Sequence, residues 1–225
     1  MKGFGVRVRP AGFLTVGGSH PAAMGADVTF ARLYRRERLG DAELYIPASS
    51  LKGSLRSAAS RVAAAYNVGR FTSCGQVDPA LIAMAHRRTD GSFEECSVCR
   101  LFGSPGRTSS PNIFFEDLIP QGGSPAVITR VKLRDDALNA MKGGLYKSEV
   151  IWGVDFVGKI FYSDEVRGLL PLLLLAFAEL RMDRFGRRSA IDVRLEETSA
   201  LRDDLELTWH GLLRGLEDWL WRGDV

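Results

Sequence analysis

The fold is decided by residues 44–66, which read LYIPASSLKGSLRSAASRVAAAY. An apolar, extended segment ends at Pro47, and Ser49 or Ser50 follows at the position of a side chain that caps a helix N-terminus. Apolar residues then recur at helical spacing, which predicts a helix with one face packed on a sheet. The apolar positions are Leu51, Leu55, Ala58, Ala59, Val62, Ala63 and Tyr66.

Two cations lie near the start of this predicted helix. Lys52 and Arg56 are four residues apart and therefore share a second face. The unpaired N–H groups of a helix N-terminus, the helix dipole and these two charges would together suit a phosphate. The alternative is an ordinary solvated helix face.

The composition is that of a globular protein with a substantial core. The chain has 225 residues, of which 45% are hydrophobic, and we expect one domain with insertions. The net charge of +3 permits an anionic partner without requiring one. Basic residues form two clusters, which are either a nucleic-acid surface or plain solvated surface. The clusters are Arg35, Arg36 and Arg38, and Arg181, Arg184, Arg187 and Arg188.

Nothing in the sequence points to a membrane or to export. The apolar runs are too short to cross a bilayer, and the N-terminus lacks the apolar region of a signal peptide, so we expect a cytoplasmic protein. Three cysteines, an odd number, argue against a disulfide framework and for free thiols or a metal site.

The cysteines suggest a zinc site. Cys96 and Cys99 form a C-x₂-C pair, whose spacing lets both thiolates reach one tetrahedral ion. Cys74 and His86 are the candidates for the second half. The prediction is a structural Zn²⁺ that staples a polar insertion over about residues 67–99. The alternative is a set of buried thiols plus a surface His on a helix from Pro79 to Arg88.

The remaining pattern is strand, helix, strand, strand, helix, strand, which is typical of an α+β ferredoxin-like βαββαβ core. We expect the core at about residues 4–66, 100–118 and 149–197. The predicted elements are a strand within 4–16 broken at Pro10, strands at 113–117, 149–162 and 190–195, a helix at 165–180, and an amphipathic C-terminal helix at about 208–222. A basic strand at 129–135 and a glycine-containing tip at 136–147 lie between them.

Several motifs resemble one family. The segment from Ile46 to Arg56 is similar to the "I-P-G-S-S-L-K-G-x-x-R" signature of the RAMP superfamily, the repeat-associated RNA-binding proteins of CRISPR systems, with Ala48 in place of the usual Gly. Residues 14–18 resemble the family's "L-x-I-G-G" turn, and residues 101–103 with 113–117 resemble its "L-F-G" turn and acidic-ended strand. Together these features are most similar to the backbone subunits of type III effector complexes.

The resemblance implies a ferredoxin-like fold and a set of partners: a CRISPR guide RNA, the complementary target RNA, other effector subunits and copies of the chain itself. It also implies a thumb hairpin at about 119–148, in which Met141 or Leu145 would wedge between bases and Lys142 would contact phosphate. An ordinary mobile loop is the alternative. Residues 184–189 take the place of a glycine-rich loop of which only Gly186 remains. The implied RNA-binding residues are Gly17, Gly18, Ser50, Lys52, Arg56, Lys132, Arg134, Arg184, Arg187 and Arg188.

The resemblance also implies catalysis. The sequence from Gly25 to Asp27 resembles a "G-A-x-D" element with one residue missing, so Asp27 would hold a hydrated Mg²⁺ while an RNA 2′-hydroxyl attacks the neighbouring phosphate. Asp41 is the alternative acid, and an Asp after a glycine also serves to stabilise turns. Two other hypotheses remain open: a structural guide-binding subunit without catalysis, and a guide-processing endoribonuclease with His20 as its base.

Overall fold

The computed structural model describes residues 1–17, 25–33, 43–65, 70–104, 112–136, 139–187 and 189–221. The strands are β1 (Lys2–Pro10), β2 (Arg32–Leu33), β3 (Glu43–Leu44), β4 (Ile113–Phe115), β5 (Ile119–Pro120), β6 (Ala126–Leu133), β7 (Ala140–Val150), β8 (Phe156–Tyr162), β9 (Arg184–Phe185) and β10 (Ser189–Glu196). The helices are α1 (Ala48–Ala65), α2 (Pro79–His86), α3 (Ser97–Phe102), α4 (Leu170–Met182), α5 (Ser199–Asp204) and α6 (His210–Leu216). Two 3₁₀ helices span Asp164–Leu169 and Leu207–Trp209.

The central sheet is antiparallel and is built around β1. Its strand order is β4-β8-β1-β10-β9, and β5 also pairs with β8. The chain passes from β1 through α1 to β4 and from β8 through α4 to β10, so each helical connection skips one strand. Phe4, Val6 and Val8 alternate along β1 and are buried, while Arg7 and Arg9 point to the other face. The predicted mixed α+β architecture is confirmed.

Helices α1 and α4 cover the buried face of this sheet. The buried residues of α1 are Leu51, Leu55, Ala58, Ala59 and Val62, which confirms five positions of the predicted apolar stripe. Ala63 is half-buried, and Tyr66 lies outside the described residues. Helix α4 is buried on most of its surface but begins at Leu170, later than expected, because residues 164–169 form a 3₁₀ helix. Pro171 lies in its first turn, where its missing N–H costs no helical bond. No helix in the described ranges is long and apolar enough to cross a membrane.

The predicted serine cap of α1 is wrong. The helix begins at Ala48, so Ser49 and Ser50 already lie in its first turn. The Ala48 N–H instead donates to Asp117 Oδ1 at 2.7 Å, and Asp117 lies 69 positions later in the chain. Ile46 and Leu118 form an antiparallel bridge, and this pairing brings the Asp117 carboxylate to the helix N-terminus.

The predicted strand at 149–162 is interrupted. Strand β7 ends at Val150 and β8 begins at Phe156, because Gly153 adopts a φ of 64° and turns the backbone. Most of the predicted glycine-containing tip is strand as well, since β7 starts at Ala140 and pairs with β6. Strands β6 and β7 form a two-stranded ribbon outside the central sheet.

The C-terminal segment also differs from the prediction. In place of one helix at about 208–222, the structure has a 3₁₀ turn and the short helix α6, which ends at Leu216. Arg181, which the sequence placed in an exposed basic cluster, is 4% exposed and lies 3.1 Å from Asp192. Its guanidinium donates to the carbonyl oxygens of Gly215 (2.8 Å) and Asp218 (2.6 Å). Arg181 therefore joins the segment around residues 215–218 to α4.

Candidate nucleic-acid interface and metal centre

Four segments that are distant in sequence meet beside the start of α1. The Arg187 N–H donates to the Thr15 carbonyl at 2.9 Å, and the Ala31 N–H donates to the Val16 carbonyl at 2.9 Å. The Tyr45 N–H donates in turn to the Ala31 carbonyl at 3.2 Å, just before the helix. We call this assembly the loop junction. It consists of residues 14–17, 25–33, 147–151 and 184–187.

Glu149 is the buried anchor of the loop junction. One carboxylate oxygen accepts the Phe30 N–H at 2.8 Å, and the other pairs with the Arg32 guanidinium. The Glu149 carbonyl accepts the Thr15 hydroxyl at 2.8 Å. A buried carboxylate is tolerated because these donors replace its hydration. Sequence reasoning missed this role, although a charged residue inside an apolar β pattern was its one visible signal.

Asp27 is hydrogen-bonded to the hairpin strand β7. Its Oδ2 accepts the Lys147 N–H at 2.7 Å, and its own N–H donates to the Lys147 carbonyl at 2.9 Å. Asp27 is exposed and belongs to no cluster of three or more metal-ligating side chains among the residues that the structure describes. A metal ion held there would take most of its ligands from water and phosphate, as Mg²⁺ commonly does. Asp41 and His20 lie outside the described residues.

Gly17 and Arg187 lie against each other at the surface. Gly186 has a φ of 58°, and a Cβ there would approach the Thr15 carbonyl oxygen to 2.5 Å, so the turn requires glycine. A Cβ on Gly17 would lie 3.6 Å from Arg187 Nε. The one glycine that remains in this loop thus keeps Arg187 over Gly17. Arg184 is exposed in β9, and Gly18 and Arg188 lie outside the described residues.

The N-terminus of α1 offers less to a phosphate than the sequence predicts. Asp117 occupies the Ala48 N–H, and the Pro47 carbonyl accepts the N–H of Ser50 at 2.8 Å. Lys52 is half-buried, and its pKa is lowered by burial and then by the neighbouring Arg56 charge. A cation that is partly desolvated gains most from an anionic partner. Lys52 is therefore the residue of this helix best placed for a phosphate.

Arg56 has protein partners. Its Nη1 donates to the Gly103 carbonyl at 2.5 Å, and its Nη2 donates to Cys99 Sγ at 3.1 Å. The sequence predicts that Arg56 shares a phosphate with Lys52, but the structure turns its guanidinium toward the cysteines.

The ribbon carries the other predicted RNA contacts. Lys132 and Arg134 are exposed, and Arg134 Nη2 lies 2.6 Å from Asp136 Oδ2. Met141 and Leu145 are exposed on the partner strand. The ribbon joins the loop junction at Lys147, where Asp27 is bound.

The outer face of the central sheet is an unpromising surface for RNA. Arg9 Nε lies 2.8 Å from Asp155, and Arg7 Nε lies 2.8 Å from Glu196. Trp219 packs under the Arg9 guanidinium at 4.1 Å. Because these cations are already paired, the face offers little net charge to a phosphate backbone.

The three cysteines and His86 form one compact cluster. The ligand atoms of Cys74, His86, Cys96 and Cys99 all lie within 4.8 Å of one another. The Cys74 and Cys99 sulfurs are 3.8 Å apart. Zinc–sulfur bonds of about 2.3 Å in a tetrahedron place two sulfurs roughly 3.8 Å apart. The cluster therefore has the ligand types and spacing of a Cys₃His zinc site.

Two short helices position three of these four residues, His86, Cys96 and Cys99. Asp78 caps α2 by accepting the Ala80 N–H at 2.8 Å, and Pro79 occupies the first turn. The helix ends at His86, two residues earlier than predicted. Cys96 precedes α3, and its sulfur accepts the Cys99 N–H at 3.4 Å.

His86 gives the strongest sign of a metal. Its side chain is buried, and in the described part of the chain neither ring nitrogen has a hydrogen-bond partner. Phe93 packs edge-on against the ring at 5.5 Å. A buried imidazole without partners is costly unless a metal accepts one of its lone pairs. The alternative of a surface His on α2 is therefore wrong.

One thiol of the cluster, Cys96, is poised to lose its proton. A hydrogen bond from the Cys99 thiol is the main cause that lowers the pKa of the Cys96 thiol to about 4. The pKa of Cys99 is raised because it holds the shared proton and is buried. A bound divalent ion would displace that proton, since zinc takes thiolates as ligands.

Comparison with known proteins agrees with these features. A family model described as the RAMP superfamily matches residues 20–191, and a search of curated proteins found no match. The matched span includes α1, the cysteine cluster, the ribbon and most of the loop junction. Because it covers well over half of the sequence, the chain belongs to the RAMP superfamily, whose members are CRISPR-associated RNA-binding proteins.

Proposed function

We propose that this chain is a backbone subunit of a type III CRISPR effector complex that binds guide RNA and cleaves the paired target RNA. It would act in the cytoplasm, beside copies of itself and other subunits. The strand order of the central sheet supports a ferredoxin-like core. The observation that carries the proposal is the loop junction, which joins Gly17, Arg187 and Asp27 to the base of the β6–β7 ribbon.

Guide binding would depend on the phosphate backbone. Arg187 supplies an exposed charge, and Gly17 beside it lets a strand approach the protein backbone closely. Lys52 adds a half-buried cation on α1. Such contacts do not read bases, so the sequence of the target would be read by pairing with the guide.

The β6–β7 ribbon would act as a thumb. Leu145 and Met141 are 67% and 38% exposed on the ribbon, and apolar side chains in that position would be available to insert between bases. Lys132 on the facing strand would contact a phosphate as the duplex kinks.

Asp27 would direct cleavage at the foot of this thumb. Its carboxylate would hold a hydrated Mg²⁺, which offsets charge on the phosphate. The RNA 2′-hydroxyl would release its proton to water as its oxygen bonds to the adjacent phosphorus. The bond from phosphorus to the 5′-oxygen would break and that oxygen would take a proton from water, which produces a 2′,3′-cyclic phosphate and a free 5′-hydroxyl. The Lys147 N–H keeps Asp27 in one orientation beside the bound strand.

The test uses the assembled complex with a labelled complementary RNA. In Asp27→Asn, the amide oxygen can still accept the Lys147 N–H but the charge is lost, whereas Asp27→Ala loses both. We expect either variant to slow cleavage on the order of 100-fold, as EDTA does to the wild type, with guide binding retained. The control is Asp183→Asn, which removes a carboxylate that pairs with Arg61 at 2.5 Å. Wild-type cleavage by Asp27→Asn would contradict the proposal.

A guide-binding scaffold without catalysis is the second candidate. The observation that favours it is the hydrogen bond from the Lys147 N–H, because it gives Asp27 a structural role that needs no metal. This candidate predicts that Asp27→Ala weakens guide binding or stability while Asp27→Asn resembles the wild type.

We also propose that the cysteine cluster holds one structural Zn²⁺. Three thiolates and a neutral imidazole suit zinc, and the buried His86 ring nitrogens would gain a partner. The metal would stabilise the insertion at residues 70–99.

A further inference from the structure

We propose that Arg56 is an outer-shell residue of the Cys₃His metal centre and that it couples this centre to helix α1. The inference rests on the proposed zinc site. It assigns the two cations nearest the start of α1 to different partners: Arg56 to the metal centre and Lys52 to RNA.

The geometry of Arg56 carries the argument. Its two terminal nitrogens bridge Cys99 Sγ at 3.1 Å and the Gly103 carbonyl at 2.5 Å. Cys99 lies inside α3, and Gly103 is the residue that ends it. The planar guanidinium is thus held by two fixed acceptors on one short helix, which suits the rigid fork of arginine and not the single ammonium of lysine.

Charge supplies the reason for this contact. Three thiolates around a divalent cation leave a net charge of about −1. The Cys99 side of the cluster is fully buried, so that charge is poorly screened by water. A guanidinium that donates to a ligating sulfur offsets the excess charge and fixes the orientation of the ligand.

Helix α1 connects the contact between Arg56 and Cys99 to Lys52, the proposed RNA contact. Leu51 and Leu55 on α1 pack in one core cluster with Leu101 and Phe102 on α3. A metal that fixes α3 therefore also fixes the guanidinium of Arg56. Lys52 lies one helical turn before it, and the Arg56 charge contributes to the lowered pKa of Lys52.

The test compares metal binding by the full-length protein without RNA. Co²⁺ binding is followed through its thiolate charge-transfer absorption, and Zn²⁺ affinity is measured by competition with a chromophoric chelator. We expect Arg56→Gln to weaken metal binding about 10- to 100-fold, which is typical when an outer-shell partner is lost. Arg56→Lys should restore part of the affinity. Lys52→Gln is the matched control, and it should bind the metal as the wild type does.

Guide RNA binding provides the reverse comparison. With the metal site saturated, Lys52→Gln should weaken RNA binding more than Arg56→Gln does. If Arg56→Gln expresses poorly, the rate at which metal-saturated Arg56→Lys releases Zn²⁺ to excess chelator gives the same answer, and we expect faster release than from the wild type.

Three outcomes would overturn the inference. Metal affinity and release rate could be unchanged in both Arg56 variants, or Lys52→Gln could lose as much metal affinity as Arg56→Gln. The wild type could also bind no metal at all, which would reject the metal centre itself and leave the guide-binding proposal standing on the loop junction.

Discussion

The cysteine cluster and the loop junction differ in how much of a site the protein supplies. In the cluster, four ligand side chains converge within 4.8 Å, and His86 is buried with no hydrogen-bond partner among the described residues. At the loop junction, Asp27 is exposed and outside any metal-ligating cluster in the described ranges, and Arg187 stands at the surface over Gly17.

Under the proposed function, this difference predicts two kinds of metal use. A closed set of protein ligands binds an ion tightly and stabilises the fold, as structural zinc does. A single carboxylate binds an ion weakly until a substrate phosphate contributes further ligands. We therefore expect the cluster to be loaded without RNA and the Asp27 site to be completed by RNA.

The largest expected effect comes from removing a cluster ligand. Cys99→Ser should abolish metal binding and destabilise the insertion, because structural zinc contributes on the order of 10 kcal/mol to such small sites. Metal content and thermal unfolding measure both effects. Chelator treatment is the control. It should lower the thermal stability of the wild type to that of Cys99→Ser, and it should not change the thermal stability of Cys99→Ser itself. A Cys99→Ser protein that retains one metal ion per chain would contradict this expectation.

The loop junction should be most sensitive at Glu149. Glu149→Ala leaves Arg32 without its carboxylate and the Phe30 N–H without its acceptor, so we expect a loss of about 3 kcal/mol in the free energy of unfolding. Denaturant titration measures it. The matched control is Glu179→Ala, which breaks a surface pair with Arg61 and should cost less than about 1 kcal/mol. Equal losses would show that Glu149 does not anchor the junction.

The pH dependence of guide binding tests Lys52. Burial holds its pKa below the ordinary value of 10.5, so the ammonium loses its proton as pH rises through that lowered pKa. A neutral amine cannot pair with a phosphate, and RNA affinity should therefore fall as the pH rises toward 10.5. Lys52→Arg keeps its charge over this range and should remove that part of the decline. Identical pH profiles for both proteins would exclude Lys52 as a phosphate ligand.

The smallest effect is expected on the ribbon. Lys132→Ala should weaken the binding of the guide–target duplex by the protein about equally for all sequences. The slope of log affinity against log salt concentration should become smaller in magnitude by about 0.7. Arg134→Ala should change this slope less, because Arg134 already pairs with Asp136. A larger change in Arg134→Ala would reverse this assignment.

The sequence predicts local features of this molecule well. Periodicity alone places the buried stripe of α1 and the mixed α+β class, and the C-x₂-C spacing indicates Cys96 and Cys99, two of the four candidate metal ligands that the structure brings together. These features depend on residues that are close together in the chain, so a single sequence is enough to recognise them.

Features that depend on distant contacts could not be predicted. Asp117 lies 69 residues from the Ala48 N–H that it caps and is brought there by the bridge between Ile46 and Leu118. This cap replaces the serine cap that local rules favour. Arg56 and Lys52 look equivalent in sequence, yet only the fold places Cys99 beside Arg56. The Glu149 anchor depends in the same way on a loop more than a hundred residues earlier in the chain.

The most direct test of the central claim is the affinity of the wild type, Arg187→Ala and Arg61→Ala for guide RNA. Both arginines are exposed, but Arg187 lies over Gly17 at the loop junction while Arg61 pairs with Glu179 and Asp183. We predict that Arg187→Ala weakens binding about tenfold, the equivalent of one charge-assisted hydrogen bond of ~1.4 kcal/mol, and that Arg61→Ala binds like the wild type. Equal affinities for all three proteins would contradict the assignment of the guide-binding surface to the loop junction.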